Sequence, residues 1–181
     1  MKNLLCTILL LSACFFTQAQ DDDASTIPLE ERQNEVRLNG LYLVAGAFEG
    51  SYSYILNDES SVGVSVFLPF DDEIRDDIKY YISPYYRFFF GKKPAAGFFL
   101  EGFGMLNSYV EEEFFGFDVP TVEENITDFA LGIGLGGKFM TQRGLVGEVN
   151  LGIGRNLFNS KSNDFGNEIV GKVGISIGYR F

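Results

Sequence analysis

Residues 173–181 read Val173-Gly174-Ile175-Ser176-Ile177-Gly178-Tyr179-Arg180-Phe181. Val173, Ile175, Ile177, Tyr179 and Phe181 share one face of a period-2 strand, and Gly174, Ser176, Gly178 and Arg180 share the other. The stretch stops on its apolar face. In water an aromatic residue on the oily side of a final strand gains little, so the alternation asks for a sheet whose apolar face is not turned to solvent and for a neighbour that pairs with the last strand.

The same alternation runs backwards through the chain. From Glu35 onward, stretches of eight to fifteen residues carry aliphatic or aromatic side chains at every second position, separated by turn residues. They predict strands at 35–45, 47–56, 61–68, 78–90, 95–109, 126–140, 145–156 and 168–181. The links alternate in length. Asn57-Asp58-Glu59-Ser60, Gly91-Lys92-Lys93-Pro94 and Thr141-Gln142-Arg143-Gly144 are tight, whereas 69–77, 110–125 and 157–167 are long. Short turns at one end and long loops at the other are the pattern of a transmembrane barrel with its short turns in the periplasm. Only the first external link, around Gly46, is unexpectedly short.

One hairpin can be paired residue by residue. With Gln142-Arg143-Gly144 as a three-residue loop and Gly144 left-handed, Lys138 lies opposite Glu148, Leu135 opposite Leu151 and Ile133 opposite Ile153, while Gly134 meets Gly152 and Gly132 meets Gly154. A slip of one residue would lose every one of these matches together.

Parity then sorts the faces. Tyr52, Tyr54, Val62, Val64, Val66, Ile82, Tyr86, Phe88, Phe90, Phe98, Leu100, Leu131, Ile133, Leu135, Val149, Leu151 and Ile153 point one way. Asn39, Ser51, Ser53, Ser65, Lys79, Ser83 and Asn150 point the other, together with Arg37, Glu49, Arg87, Glu101, Lys138, Glu148, Lys172 and Arg180. Charges that share a face with Ser, Gly and Asn belong inside a lipid-exposed barrel, where the oily side faces out. A soluble lipocalin-like barrel would reverse the two sides. The expected fold is therefore all-β: an eight-stranded antiparallel up-and-down transmembrane β-barrel over 35–181. Tyr54, Phe88, Phe90, Phe98, Phe139, Tyr179 and Phe181 fall beside the short turns, where an interfacial aromatic girdle belongs. The plainer reading is that aromatics are common in strands.

Eight strands enclose a lumen only wide enough for side chains. Strands six to eight offer Gly132, Gly134, Gly136, Gly152, Gly154, Gly174 and Gly178 to it, and strands four and five offer Tyr81, Tyr85, Arg87, Phe89, Phe99 and Phe103. Glycines on one wall would make room for bulk on the other. In so dry a space charges must be paired, and the expected network neutralises Arg37, Arg87, Lys138, Lys172 and Arg180 with Glu49, Glu101 and Glu148. Pro84 interrupts this scheme, because it has no N–H for the ladder, and a bulge or an edge-like position is expected there.

The amino terminus reads differently. Met1-Lys2-Asn3 is a basic head, and Leu4 to Phe16 is an apolar run too short to span a bilayer as a helix. With Thr17-Gln18-Ala19 following, residues 1–19 are expected to be a secretory signal peptide cut before Gln20, and 20–34 an acidic periplasmic leader. A second reading takes Leu11-Ser12-Ala13-Cys14 as a lipobox with Cys14 lipidated. Both cysteines, Cys6 and Cys14, precede residue 20, so the cut chain would contain no thiol, disulfide or Cys-ligated metal. The sequence has no histidine, which removes the usual general base, the usual zinc ligand and any Ser-His or Cys-His pair. No cofactor is expected. The formal charge is −11, and removing Lys2 with the signal takes it to −12, a poor balance for binding nucleic acid.

Several acidic and glycine-rich motifs have plain readings. Asp71-Asp72-Glu73-Ile74-Arg75-Asp76-Asp77, Glu111-Glu112-Glu113 and Glu123-Glu124 supply oxygens that suit calcium or magnesium, but the spacing is not that of an EF-hand loop, and solvated acidic loops explain them. Phe114, Phe115 and Phe117 lie among the acids of the third external link, either as an external contact loop or as caps on the barrel mouth. Gly132-x-Gly134-x-Gly136 continues at strand period with no helix after it, so it is packing and not a nucleotide loop. Asn125-Ile126-Thr127 matches a glycosylation sequon, which carries little weight in a bacterial envelope protein.

Ser83-Pro84-Tyr85-Tyr86-Arg87-Phe88, Ala95-Ala96-Gly97-Phe98-Phe99-Leu100-Glu101-Gly102, Gly144-Leu145-Val146-Gly147-Glu148, Gly152-Ile153-Gly154-Arg155-Asn156 and the closing Gly174–Phe181 resemble a family of small Gram-negative outer-membrane barrels, recorded mainly as a domain of unknown function. The final strand resembles the C-terminal signal of such barrels. The resemblance spans everything after the leader and implies an OmpA/OmpX-like barrel in the outer membrane, in contact with membrane lipid, with lipopolysaccharide as a candidate contact, and folded by the barrel-assembly machinery. It brings no catalytic residues. Two function classes follow: a structural or interaction protein acting through its external loops, with the external partner unidentified, or a small-solute or ligand transport barrel. An enzyme is not expected, because known outer-membrane barrel hydrolases rely on histidine.

Overall fold

The structure is a computed structural model that describes residues 32–91, 93–113, 122–158 and 169–181. Eight antiparallel strands close into a barrel in which each strand pairs with its neighbour in sequence and the last pairs with the first. They are β1 (Asn34–Asn39), β2 (Ala47–Asn57), β3 (Ser60–Pro69), β4 (Ile78–Phe89), β5 (Gly97–Glu113), β6 (Val122–Met140), β7 (Leu145–Asn156) and β8 (Ile169–Arg180). None of the helices among the described residues is long and apolar enough to cross a membrane.

The period-2 pattern sets the two faces. Side chains at successive positions alternate between buried and exposed along β4 and β8, and the exposed set is the apolar one, including Ile133, Leu135, Phe139, Leu151, Ile153, Ile175 and Ile177. The buried set carries the charges. In the β6–β7 hairpin Lys138 pairs with Glu148, Leu135 with Leu151, Ile133 with Ile153, Gly134 with Gly152 and Gly132 with Gly154, which is the register expected from sequence. Gly144 holds φ at +93°, a conformation glycine adopts without steric cost. The closing ladder runs from Glu35 opposite Arg180 to Asn39 opposite Ser176. The aromatics expected in the girdle are all exposed, and Phe90 packs on both Phe88 and Phe98 with ring centres 5.0 and 6.0 Å apart.

Four local features differ from the sequence expectation. The first strand ends at Asn39 and not at Ala45, and Gly40–Ala45 forms a one-and-a-half-turn helix, α1. Asn39 caps it by accepting a hydrogen bond from the Leu41 N–H, and Gly46 ends it with φ at +113° and its N–H donating to the Tyr42 carbonyl. The first long-end link is therefore α1 itself, which removes the apparent anomaly of its shortness. Second, of the two outcomes expected at Pro84 the bulge is absent and the edge-like position is found, on the side of β5. Its position in β4 stays in register on both sides, and the ladder to β5 merely lacks bridges at Ser83 and Pro84, where the Ser83 hydroxyl donates to the Gly104 carbonyl at 2.9 Å. The register shift in that ladder lies instead between Ile78 and Tyr80.

Third, β5 begins at Gly97 and not at Ala95. Ala95 and Ala96 turn under the barrel and are buried, and Ala95 joins Ile55, Phe89 and Phe99 in a small apolar cluster at the tight-turn end. Fourth, β5 and β6 run on through much of the expected 110–125 loop: Val110 pairs with Asn125, Glu111 with Glu124, Glu112 with Glu123 and Glu113 with Val122. β4 pairs with β5 only as far as Tyr109, and β7 with β6 only as far as Asn156, opposite Ala130. The upper parts of β5 and β6 thus form a two-stranded ribbon that rises beyond the rest of the wall. Within the second external link, Asp72–Asp77 forms a short helix, α2, whose N-cap Asp71 accepts from the Glu73 N–H, and Arg75 pairs with Asp72 at 3.2 Å. Those carboxylates are thus partly occupied by local structure. Residues 1–31, and with them the signal peptide, Cys14 and most of the leader, lie outside the described residues, as do Phe114, Phe115 and Phe117.

Candidate functional site

A barrel this narrow has one interior, and its contents fall into levels along the axis. At the tight-turn end sits a charge cluster built from six strands. Glu35 Oε1 accepts from Arg37 Nη1 at 2.8 Å and from Lys138 Nζ at 2.7 Å, while its Oε2 accepts from Arg180 Nε and Nη2 at 3.0 and 2.9 Å. Glu148 Oε2 accepts from Arg37 Nη1 and Arg87 Nη1, each at 2.8 Å. Glu101 joins Arg87 Nε at 2.6 Å to Lys172 Nζ at 2.8 Å. Arg180 also donates to the carbonyls of Pro94 and Ala95, each at 2.8 Å, which ties the cluster to the turn folded beneath it.

The cluster therefore unites Arg37, Arg87, Glu101, Lys138, Glu148, Lys172 and Arg180, as their shared parity suggested. Glu49 stands apart. It accepts from the Asn39 side-chain amide and from the Tyr81 hydroxyl, and Glu35 takes the place in the ion-pair network that the sequence reading gave to Glu49. Glu49 lies near the long-link end of β2, beside Asn39 and Tyr81, whereas Arg87, Lys138 and Arg180 lie within three residues of the turn ends of β4, β6 and β8. Parity gives the side of the wall, but strand stagger decides which levels meet. Glu35 has the right parity and was overlooked because it stands at the edge of its strand.

Aromatic faces complete the lining. The Arg87 guanidinium carbon lies 4.4 Å from the Tyr85 ring centre and 4.5 Å from that of Phe99. Lys138 Nζ is 4.8 Å from the Phe89 centre, and Lys172 Nζ is 4.8 Å from Tyr85 and 5.2 Å from Phe103. Such contacts strengthen when water is excluded. Across the described residues the buried acids are Glu35, Glu49, Glu101, Asp128 and Glu148, and the buried bases are Arg37, Arg87, Lys138, Lys172 and Arg180, so the formal charges cancel. The balance lowers the cost of holding ions in a low-dielectric interior.

The glycines make this packing possible. Phe103 pairs with Gly132 and Phe99 with Gly136, and a Cβ on either glycine would run into the ring of its partner and a backbone carbonyl of β7. The room left by these glycines of β6 is filled by rings of β5, part of the bulky wall expected from sequence. Above the cluster the Tyr85 hydroxyl bonds Ser53 at 2.7 Å and accepts from Arg37, and higher still Phe67 stacks on Tyr81 at 4.8 Å with Tyr42 of α1 set edge-on to Phe67 at 5.1 Å.

No family model matches this chain. No curated protein sequence matches it. Among solved structures it is similar to the N-terminal β-barrel domain of Pseudomonas aeruginosa OprF, with a TM-score of 0.59 and 15% identity over 83% of this chain and 98% of that one. Two others match with lower scores. The Yersinia pestis outer membrane protein Ail gives a TM-score of 0.40 at 17% identity over 83% of this chain and all of that one. Neisserial surface protein A gives 0.44 at 13% identity over 82% of this chain and 95% of that one. The OprF likeness is one of fold: this chain forms the same kind of closed barrel as that domain.

Proposed function

We propose that the chain is an outer-membrane β-barrel of a Gram-negative bacterium, exported by a signal peptide, set with its long links outside, and closed to ion flow. Its role is structural or interactive and is exercised through the external links. The observation that carries this reading is the charge cluster, which joins side chains from six strands across the lumen and is sealed below by Ala95, Ala96 and Phe99, buried to 0, 2 and 0% exposure. The continuous apolar exterior with its aromatic girdle supports a lipid surround, with lipopolysaccharide as a candidate neighbour of the outer rim. Export and insertion would draw on the barrel-assembly machinery. The absence of histidine from the sequence argues against the hydrolase chemistry of barrel enzymes.

Two measurements, one on the purified protein and one on intact cells, test the proposal. In planar bilayers the folded barrel is expected to leave conductance at the level of the bare membrane, and a steady added conductance would refute the closed lumen. In cross-linking on intact cells, removing residues 110–125 is expected to abolish at least one envelope contact, since this removes the upper ribbon and the Phe114–Phe117 segment. An unchanged cross-linking pattern would contradict the ribbon's role.

A further inference from the structure

At the turn end β6 runs further than its neighbour. The β5–β6 ladder begins at Gly97 opposite Lys138, but β6 continues through Phe139 and Met140, while Ala95 and Ala96 turn under the barrel instead of extending β5. No side chain of β5 therefore stands beside Phe139 on the outer face. The result is an external groove of about 420 Å³, lined among others by Gly91, Lys93, Phe98, Gly137, Phe139 and Met140. That volume lies in the lower part of the range for ligand sites.

The groove has an oily body and one charged end. Gly137 pairs with Phe98, and a Cβ added to it would meet nothing within 4 Å, so the space over it is open. Phe98 and Phe139 stand exposed beside it, and both belong to the aromatic girdle. Lys138 also borders the groove, but its ammonium lies in the lumen on Glu35 at 2.7 Å. Lys93 is different. It belongs to the turn between β4 and β5, it is exposed, and among the described residues its ammonium has no ion-pair partner. A lysine there lays its stem along apolar surface and keeps its head in the interface. An apolar groove at girdle level, ending on an unneutralised cation at headgroup level, is complementary to an amphipathic anion.

We propose that this groove is a binding site for one anionic glycerophospholipid of the leaflet at the turn end. An acyl chain lies over Gly137 beside Phe98 and Phe139, and the phosphate sits on the Lys93 ammonium. The inference rests on the lipid-facing exterior proposed above and goes beyond it, because a surrounding lipid belt requires no preference for one headgroup.

The full chain is folded into nanodiscs of equal parts phosphatidylglycerol and phosphatidylcholine with the same acyl chains, and the lipids that stay on the released barrel are counted by native mass spectrometry. One phosphatidylglycerol per barrel is expected to remain, about fivefold over phosphatidylcholine, the worth of one lysine at an anionic surface. Lys93→Gln is expected to bring the two lipids within about twofold of each other. Gly137→Leu, which fills the groove, is expected to lower phosphatidylglycerol retention about tenfold. Gly102→Leu, whose Cβ also meets open space but lies outside the groove, is expected to leave it unchanged. Heat-dependent gel mobility shows that each variant is folded; should Gly137→Leu fail to fold, Phe139→Ala, which removes one side of the groove, takes its place with the same expected loss. Equal retention of the two lipids by the native chain would overturn the proposal. So would a loss with Lys93→Gln that the groove variant does not share, which would mean a surface charge attracting headgroups with no groove involved. A chain that does not enter nanodiscs would overturn the membrane reading and this inference with it, whereas a folded barrel in nanodiscs without a lipid preference overturns this inference alone.

Discussion

At the scale of single residues, Glu148 carries more of the interior than any other carboxylate but Glu35. One of its oxygens takes hydrogen bonds from two arginines at 2.8 Å and lies 3.8 Å from Lys138 Nζ, with all four side chains at most 2% exposed. Removing one member of such a buried set leaves its partners as uncompensated charges, and the penalty is about 3–5 kcal/mol. Glu148→Gln is therefore expected to lower the stability of the folded barrel by that order, read as a drop in the urea midpoint of the heat-modifiable band. A midpoint within experimental error of the native protein would show that the cluster is not the interior's anchor. The paired charges Lys138 and Glu148 were legible in sequence because their hairpin fixes its own register, from Gly144 upward. Glu49 was misassigned because its donors, Asn39 and Tyr81, are neutral side chains on other strands, and nothing in local sequence announces the level at which they meet.

At the scale of elements, the seam between β1 and β8 is the thinnest part of the wall. β8 runs from Ile169 to Arg180, yet β1 accompanies it only from Arg180 to Ser176, and α1 covers the remainder. Asn39 is the hinge of this arrangement. Its Nδ2 donates to the Val173 carbonyl at 3.1 Å and to Glu49, and its Oδ1 accepts from the N–H groups of Leu41 at 3.1 Å and Ile175 at 3.3 Å. One side chain thus caps the helix and bonds to the strand edge where backbone pairing stops. Asn39→Ala is expected to cost roughly 1–3 kcal/mol through the lost cap and the stranded groups. The sharper readout is hydrogen exchange: the Ile175 amide should lose protection while the Leu151 amide, within the β6–β7–β8 ladders, keeps it. Equal protection of Ile175 in both proteins would contradict this account of the seam. α1 escaped the sequence reading because Gly40-Leu41-Tyr42-Leu43-Val44-Ala45 also fits a strand, in which Tyr42 would share the outward face of Val36 and Leu38, whereas the helix sets it edge-on to Phe67. The signal that marks the helix is the pair of caps, Asn39 before it and Gly46 after it, lying just one helical segment apart.

At the scale of the whole molecule, the distribution of side chains is inverted with respect to a protein that folds in water. The buried side carries Arg87, Arg180, Lys138 and Glu35 among its most enclosed side chains, and the exposed side carries Phe139 at 75%, Ile133 at 73% and Ile177 at 66% exposure. Contiguous apolar surface on this scale is unfavourable in solvent and favourable in hydrocarbon. The period-2 alternation made this inversion legible from sequence alone, because the charges fell on the face shared with Ser, Gly and Asn. The central claim is that this exterior is a lipid-facing belt. Membrane fractionation of cells producing the full chain, followed by gel electrophoresis of heated and unheated samples, tests it most directly. The account predicts recovery in the outer-membrane fraction and a faster-migrating band in the unheated sample; recovery in the soluble periplasm, with the same mobility before and after heating, would contradict it.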